Sequence, residues 1–169
     1  MQISIICSDI YFKGVNSVIT DLSHVSSLFR FPFSINYNSP VEISRIDTNK
    51  ITNVYNNSES EIRVAIYADI SSSVSKILIR NISTGEYFGI RGDFLDGDSI
   101  FISTYRGKKA VTLTRQGVQV NLFSKIITGS AFFQLRKGDN YFGYYVDDSL
   151  EKNIRVGIKF KYRINFRGI

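Results

Sequence analysis

Ile154-Arg155-Val156-Gly157-Ile158-Lys159-Phe160-Lys161-Tyr162-Arg163-Ile164-Asn165-Phe166-Arg167 is the stretch that decides the fold. Its even positions are all apolar or aromatic; its odd positions are Arg, Gly, Lys, Lys, Arg, Asn and Arg. A period of two puts one face of a strand in a core and the other in water. At about 3.3 Å per residue the strand would run roughly 46 Å, so either a bend, with Gly157 as its candidate, or passage across the width of a sandwich is expected.

The same rhythm recurs upstream in shorter pieces: Ile62–Ala68, Lys76–Ile82, Tyr87–Arg91, Ser99–Thr104, Ala110–Thr114, Val118–Leu122, Phe132–Leu135 and Tyr141–Val146. Turn sequences separate them, among them Ser83-Thr84-Gly85, Arg115-Gln116-Gly117 and Lys137-Gly138-Asp139-Asn140. Short strands at close spacing predict an antiparallel sandwich or barrel. Composition agrees. Ile, Val, Phe, Tyr and Thr make up 67 of 169 residues, against 8 Leu and 4 Ala, and these branched and ring side chains suit a pleated surface better than a helix.

Residues 1–40 have another character. Behind Thr20 as a possible cap, Leu22, Val25, Leu28 and Phe29 recur at helical spacing, and Phe31-Pro32-Phe33 ends that piece. We read residues 1–40 as a linker or docking segment and 41–169 as the β-sandwich domain. The Asn-rich run Thr48–Ser60 is expected to be a long loop or insertion site.

Composition also removes function classes. One Cys excludes an intrachain disulfide framework and a thiolate zinc site. The longest stretch without a charge, Phe31–Val41, is eleven residues, too short to cross a bilayer as a helix. Met1–Ser8 carries no basic residue of the kind that opens a signal peptide. The chain is therefore expected to be soluble, without membrane insertion. His24, the sole imidazole, sits away from any candidate nucleophile, and Cys7 lies in an apolar strand, so no catalytic residue is assigned and the chain is not read as an enzyme. Asp93, Asp96 and Asp98 around Gly97 lack the spacing of a twelve-residue calcium loop and suit a β-turn better. Neither metal nor cofactor is assigned.

The whole net charge of +6 falls in residues 85–169. Lys159, Lys161, Arg163 and Arg167 share one strand face, while Phe160, Tyr162 and Phe166 take the other. Cations and stacking rings are thus not interleaved along that strand, and nucleic acid is disfavoured as a partner. The cations are read instead as protection of an exposed strand. A sugar site would use Tyr141, Tyr144 and Tyr145, in a chain with no Trp.

Several local patterns, in order, resemble the distal tail proteins of siphophages. Ile5-Ile6-Cys7-Ser8-Asp9-Ile10-Tyr11-Phe12 resembles the family's Cys-Pro-Asp-Pro-Tyr element, with Ser8 and Ile10 where prolines are common. Phe29-Arg30-Phe31-Pro32-Phe33-Ser34-Ile35 resembles its Phe-x-Phe-Pro-Phe linker. Asn81–Glu86, Gly97–Thr104, Gly107–Leu113, Phe133-Gln134-Leu135 with Gly138-Asp139-Asn140, and Tyr162-Arg163 with Gly168-Ile169 follow. The resemblance implies a galectin-like, jelly-roll type antiparallel β-sandwich behind the end of an N-terminal domain. It implies a structural component of a phage or prophage tail tip, a fragment of a distal tail or baseplate hub protein, acting through protein–protein contacts. Partners would be the tail tube and tail-tip or tail-fibre proteins, with homo-hexamers in the full-length context. The expected locations are the virion tail tip and, during assembly, the host cytoplasm. Leu28, Phe29, Phe31 and Phe33 are the candidate protein-contact residues. The alternative is a carbohydrate-binding module for host cell-wall polymers. With no Trp and His24 outside the expected sandwich, galectin-type sugar recognition is not implied.

Overall fold

The structure, a computed structural model, describes residues 11–22, 24–27, 44–47, 51–147 and 156–167. In chain order the strands are β1 (Tyr11–Asp21), β2 (His24–Ser27), β3 (Ser44–Asp47), β4 (Thr52–Asn53), β5 (Ala65–Ile70), β6 (Val74–Asn81), β7 (Tyr87–Phe94), β8 (Ser99–Ser103), β9 (Ala110–Arg115), β10 (Val118–Asn121), β11 (Tyr141–Val146) and β12 (Val156–Arg167). A 3-10 turn covers Phe123–Lys125. Six strands form a large sheet in the order β1-β12-β5-β8-β9-β10; four form a small sheet, β4-β11-β6-β7; β2 and β3 pair separately. Every pairing is antiparallel. The two larger sheets close face to face into the expected all-β sandwich.

Alternation decides what fills the space between them. Ile66, Ile100, Ile102, Ile158 and Phe160 come from the large sheet; Ile77, Ile79, Phe88, Ile90 and Phe142 come from the small one, all essentially without solvent contact. Phe142 of β11 meets Phe160 of β12 edge-on, 4.8 Å between centroids, and Phe133 packs on both. Edge-to-face packing of buried rings adds to the gain from area alone. Tyr144 is buried as well, and its hydroxyl donates across the layers to the Val156 carbonyl at 3.1 Å.

Several expectations need correction. β12 is an interior strand, bonded to β1 on one side and β5 on the other, so its cations do not guard an edge. Gly157 pairs with Asp69 inside an unbroken ladder rather than marking a bend. The irregularity lies in β1, where Gly14, Val15 and Asn16 together oppose Ile164. The linker expected over residues 1–40 contributes that strand, β1, to the large sheet. Thr20 is no helix cap: it pairs with Phe160. No helix starts there, because His24–Ser27 is extended and paired with Ser44–Asp47. β-branched Val25 beside two serines suits a strand, since serine competes with helical hydrogen bonds and branched side chains lose rotamers. Phe132–Leu135 is no strand either. Leu135 makes a single bridge to Ile62, and neighbouring backbone groups are taken up by asparagine side chains.

Those asparagines close one end of the sandwich. Asn140 is fully buried. Its Nδ2 donates to the carbonyls of Arg136 at 2.8 Å, Gly138 at 3.0 Å and Val54 at 3.3 Å, and its Oδ1 accepts from the Arg136 N–H at 2.9 Å. Asn56, equally buried, donates to Ser60 and Leu135 carbonyls and accepts from the Ser58 N–H. In the stretch expected as a loop over Thr48–Ser60, β4 and an Asn56–Gly138 bridge pair by backbone, and the side-chain amides extend that pairing. Asn140→Ala takes the side-chain donor from the buried Val54 carbonyl and the acceptor from the Arg136 N–H, and should lower stability by about 1–3 kcal/mol. Urea denaturation checks this, with a lower midpoint at unchanged slope. Asp139→Ala, next door but exposed, should stay within about 0.5 kcal/mol of wild type.

The Asp-Gly-Asp stretch is a turn, with Gly97 at φ 83°. Asp98 is buried and its carboxylate is fully engaged: Arg115 donates Nε to Oδ1 at 2.8 Å and Nη2 to Oδ2 at 2.6 Å, and the Leu95 N–H donates to Oδ2 at 2.8 Å. Arg115 Nη2 also reaches the Asp93 carbonyl. The guanidinium thus engages both oxygens of the Asp98 carboxylate. Its hydrogen bonds hold the Asp98 carboxyl below its ordinary value near 3.8, against the opposing pull of burial. A carboxyl more acidic in the folded chain stabilises it above the ordinary value and loses that contribution as pH falls through the lowered one. Stability should therefore fall as pH drops below about 4. Asp98→Asn should lower the neutral-pH midpoint and flatten this acid limb, read from denaturation midpoints across the range.

Candidate functional site

Outward positions of the large sheet build a polar concavity. β12 presents Lys159, Lys161 and Arg163; opposite them in register stand Tyr67 and Ala65 of β5, and Asp21, Ile19 and Ser17 of β1. At one end Lys159 is matched by Asp69, Nζ to Oδ2 3.9 Å. Beyond Lys161 the surface sinks into a cavity of about 680 Å³. Ala65 lines it directly opposite Lys161, and its small side chain is what leaves the space.

Among the described residues, six cations line the hollow, Lys13, Arg63, Arg106, Lys108, Lys161 and Arg163, against one carboxylate, Glu61. Arg63 is anchored: its Nη1 donates to the Thr104 carbonyl at 2.9 Å. Thr104 is fixed in turn, its hydroxyl accepting from the Val64 N–H and donating to the Val64 carbonyl. Tyr67 and Tyr105 complete the wall. The Tyr67 ring packs at a tilt on Phe101, 5.2 Å between centroids. Burial pushes the Tyr105 hydroxyl above its ordinary value, while the nearby positive charges of Arg163 and Lys13 pull the other way. It stays a protonated donor at neutral pH.

The structure places the sequence-derived candidates as follows. Leu28, Phe29, Phe31 and Phe33 lie outside the described residues, as does Cys7. His24 belongs to β2, paired with Asp47 of β3. Tyr141 and Tyr145 are half exposed on the outer face of the small sheet; Tyr144 points inward and is 1% exposed, which removes it as a sugar platform. Period two made that unavoidable once Phe142 faced the core. Tyr141 and Tyr145 stand four residues apart along β11, about 13 Å, too far to stack on one ring. Lys159, Lys161 and Arg163 do share a face; Arg167 pairs with Tyr11 at the far end of β12.

Sequence reasoning missed Arg63, Arg106, Lys108, Tyr67 and Tyr105 as companions of β12. Tyr67 and Ala65 alternate with buried Ile66 and Ala68, so the face of β5 was readable. That β5 lies beside β12, about ninety residues later, was not.

A profile of the siphovirus-type tail component family, C-terminal domain, matches residues 57–163. The crystal structure of the SPP1 Dit protein (gp 19.1), described as a paradigm of the hub adsorption apparatus in phages infecting Gram-positive bacteria, is similar in fold. Its TM-score is 0.60 at 13% identity, covering 94% of this chain and 50% of that one. This chain thus corresponds to half the length of that hub protein. No curated protein sequence matches. The profile extends over more than half of the chain, and through it the chain belongs to the siphovirus-type tail component family.

Proposed function

We propose that this chain acts at the tip of a phage or prophage tail as part of a distal tail or baseplate hub, through contacts with other tail proteins. The observation that carries the reading is the family match over residues 57–163, on a sandwich like that of a hub protein. Its surface is compatible with such work. Where β1 and β12 run together past the bulge, Phe12 and Phe166 oppose each other and are 65% and 51% exposed, with Val15 beside them. Apolar groups gathered at one exposed end are what a protein contact removes from water.

The partners in this reading are the tail tube and the tail-tip or tail-fibre proteins, with homo-hexamers in the full-length context. The chain would pass through the host cytoplasm during assembly. Leu28, Phe29, Phe31 and Phe33 remain its proposed contacts: four large apolar residues within six positions have little role in water.

Antibodies raised against this chain should decorate the distal end of tails in electron micrographs of purified particles. Labelling of heads only, or no labelling of disrupted particles, would overturn the assignment. Phe31→Ser with Phe33→Ser should leave the melting temperature near wild type while reducing incorporation into particles about tenfold, a loss of roughly 1.4 kcal/mol in contact energy.

A further inference from the structure

We propose that the basic hollow on the outer face of the large sheet binds a phosphodiester chain that carries no bases, a polyol- or sugar-phosphate polymer. The first ground is charge. Among the described residues, Arg106, Lys108, Lys161 and Arg163 form no ion pair, whereas Lys159 on the same strand is matched by Asp69, and Arg115 by Asp98. Collected around one concavity with Arg63, and with Glu61 the one carboxylate among the described lining residues, they set up a positive potential that low-dielectric walls focus. Repeating anions at close spacing relieve that repulsion better than a single one.

Shape is the second ground. At about 680 Å³ the hollow falls within the range of small-ligand clefts, roughly 300–1,000 Å³. Parts are already placed: Arg63 is held by the Thr104 carbonyl through one nitrogen only, and its other N–H groups remain available for the bidentate geometry phosphate accepts. The Tyr105 hydroxyl adds a neutral donor.

Two other occupants fit less well. A protein surface docks on an apolar centre, but the apolar lining residues here, Ile62, Ala65 and Tyr162, are 3%, 7% and 2% exposed, beneath the floor rather than on it. Single-stranded nucleic acid needs free ring faces for its bases. Tyr67 already packs against Phe101, and Tyr105 is half-buried.

Fluorescence anisotropy with labelled poly(glycerol phosphate) at low salt tests the proposal, with polyglutamate of equal charge and oligothymidylate as comparison probes. Poly(glycerol phosphate) should bind most tightly, and the affinity should fall steeply as salt is added. Lys161→Glu with Arg163→Glu, both exposed, should weaken it on the order of tenfold or more with the melting temperature retained. Arg91→Glu with Lys125→Glu changes net charge equally at exposed positions away from the hollow and should leave affinity nearly unchanged. Equal losses in both double variants would overturn the proposal by showing charge without a site. Tighter binding of polyglutamate would replace it with an acidic protein partner, tighter binding of oligothymidylate with nucleic acid, and no binding at low salt would end it.

Discussion

The structure depends on the register of β12, which is hydrogen-bonded to a neighbour on each side. A slip of one residue would carry Phe160 and Tyr162 into water and Lys159, Lys161 and Arg163 into the core. Either half of that exchange is prohibitive, because unpaired ammonium and guanidinium groups are among the costliest things to bury. The same constraint positions both surfaces of the molecule. Inward, it delivers Phe160 to the ring cluster with Phe133 and Phe142, which joins the sheets. Outward, it sets a column of cations in the middle of a sheet, where other strands must supply their surroundings. The core and the basic hollow are two consequences of one alternation.

Alternation is also what made the sequence legible, and its failures follow from the same cause. β6, β8 and β9 were recovered to within two residues of their ends because each alternates buried with more exposed positions. The hairpin between β9 and β10 announced itself through Gln116-Gly117, where φ is 49° and 81°, the left-handed pair a two-residue turn demands. β1 was obscured because it departs from the rule: Gly14, Val15 and Asn16 form a bulge, and edge position leaves Phe12 and Ile19 exposed. With its rhythm interrupted, the apolar spacing that follows mimicked a helix. Tyr144 was grouped with its neighbours by residue type, when position in the pleat was the stronger determinant.

The hollow was invisible for a different reason. Its cations come from β1, the segment before β5, the loop after β8, and β12, so sheet order assembles it and no local pattern encodes it. The end closed by Asn56 and Asn140 is similar. An Asn-rich run looks like an indifferent loop until its amides are seen bonding carbonyls across roughly eighty residues. Polar side chains there extend the backbone pairing, and burial makes them more specific, since an unmatched partner would have no water to turn to.

How the sheet edges end bears on how such a domain meets its neighbours. A flat, bare edge invites another strand, and with it uncontrolled association. On one side of the large sheet β1 presents the bulge, with Lys13 immediately before it; on the other, β10 is only four residues long. Both devices discourage strand addition. What the large sheet leaves exposed is then its outer face and the apolar end of the β1–β12 ribbon, which present side chains rather than free backbone pairing groups.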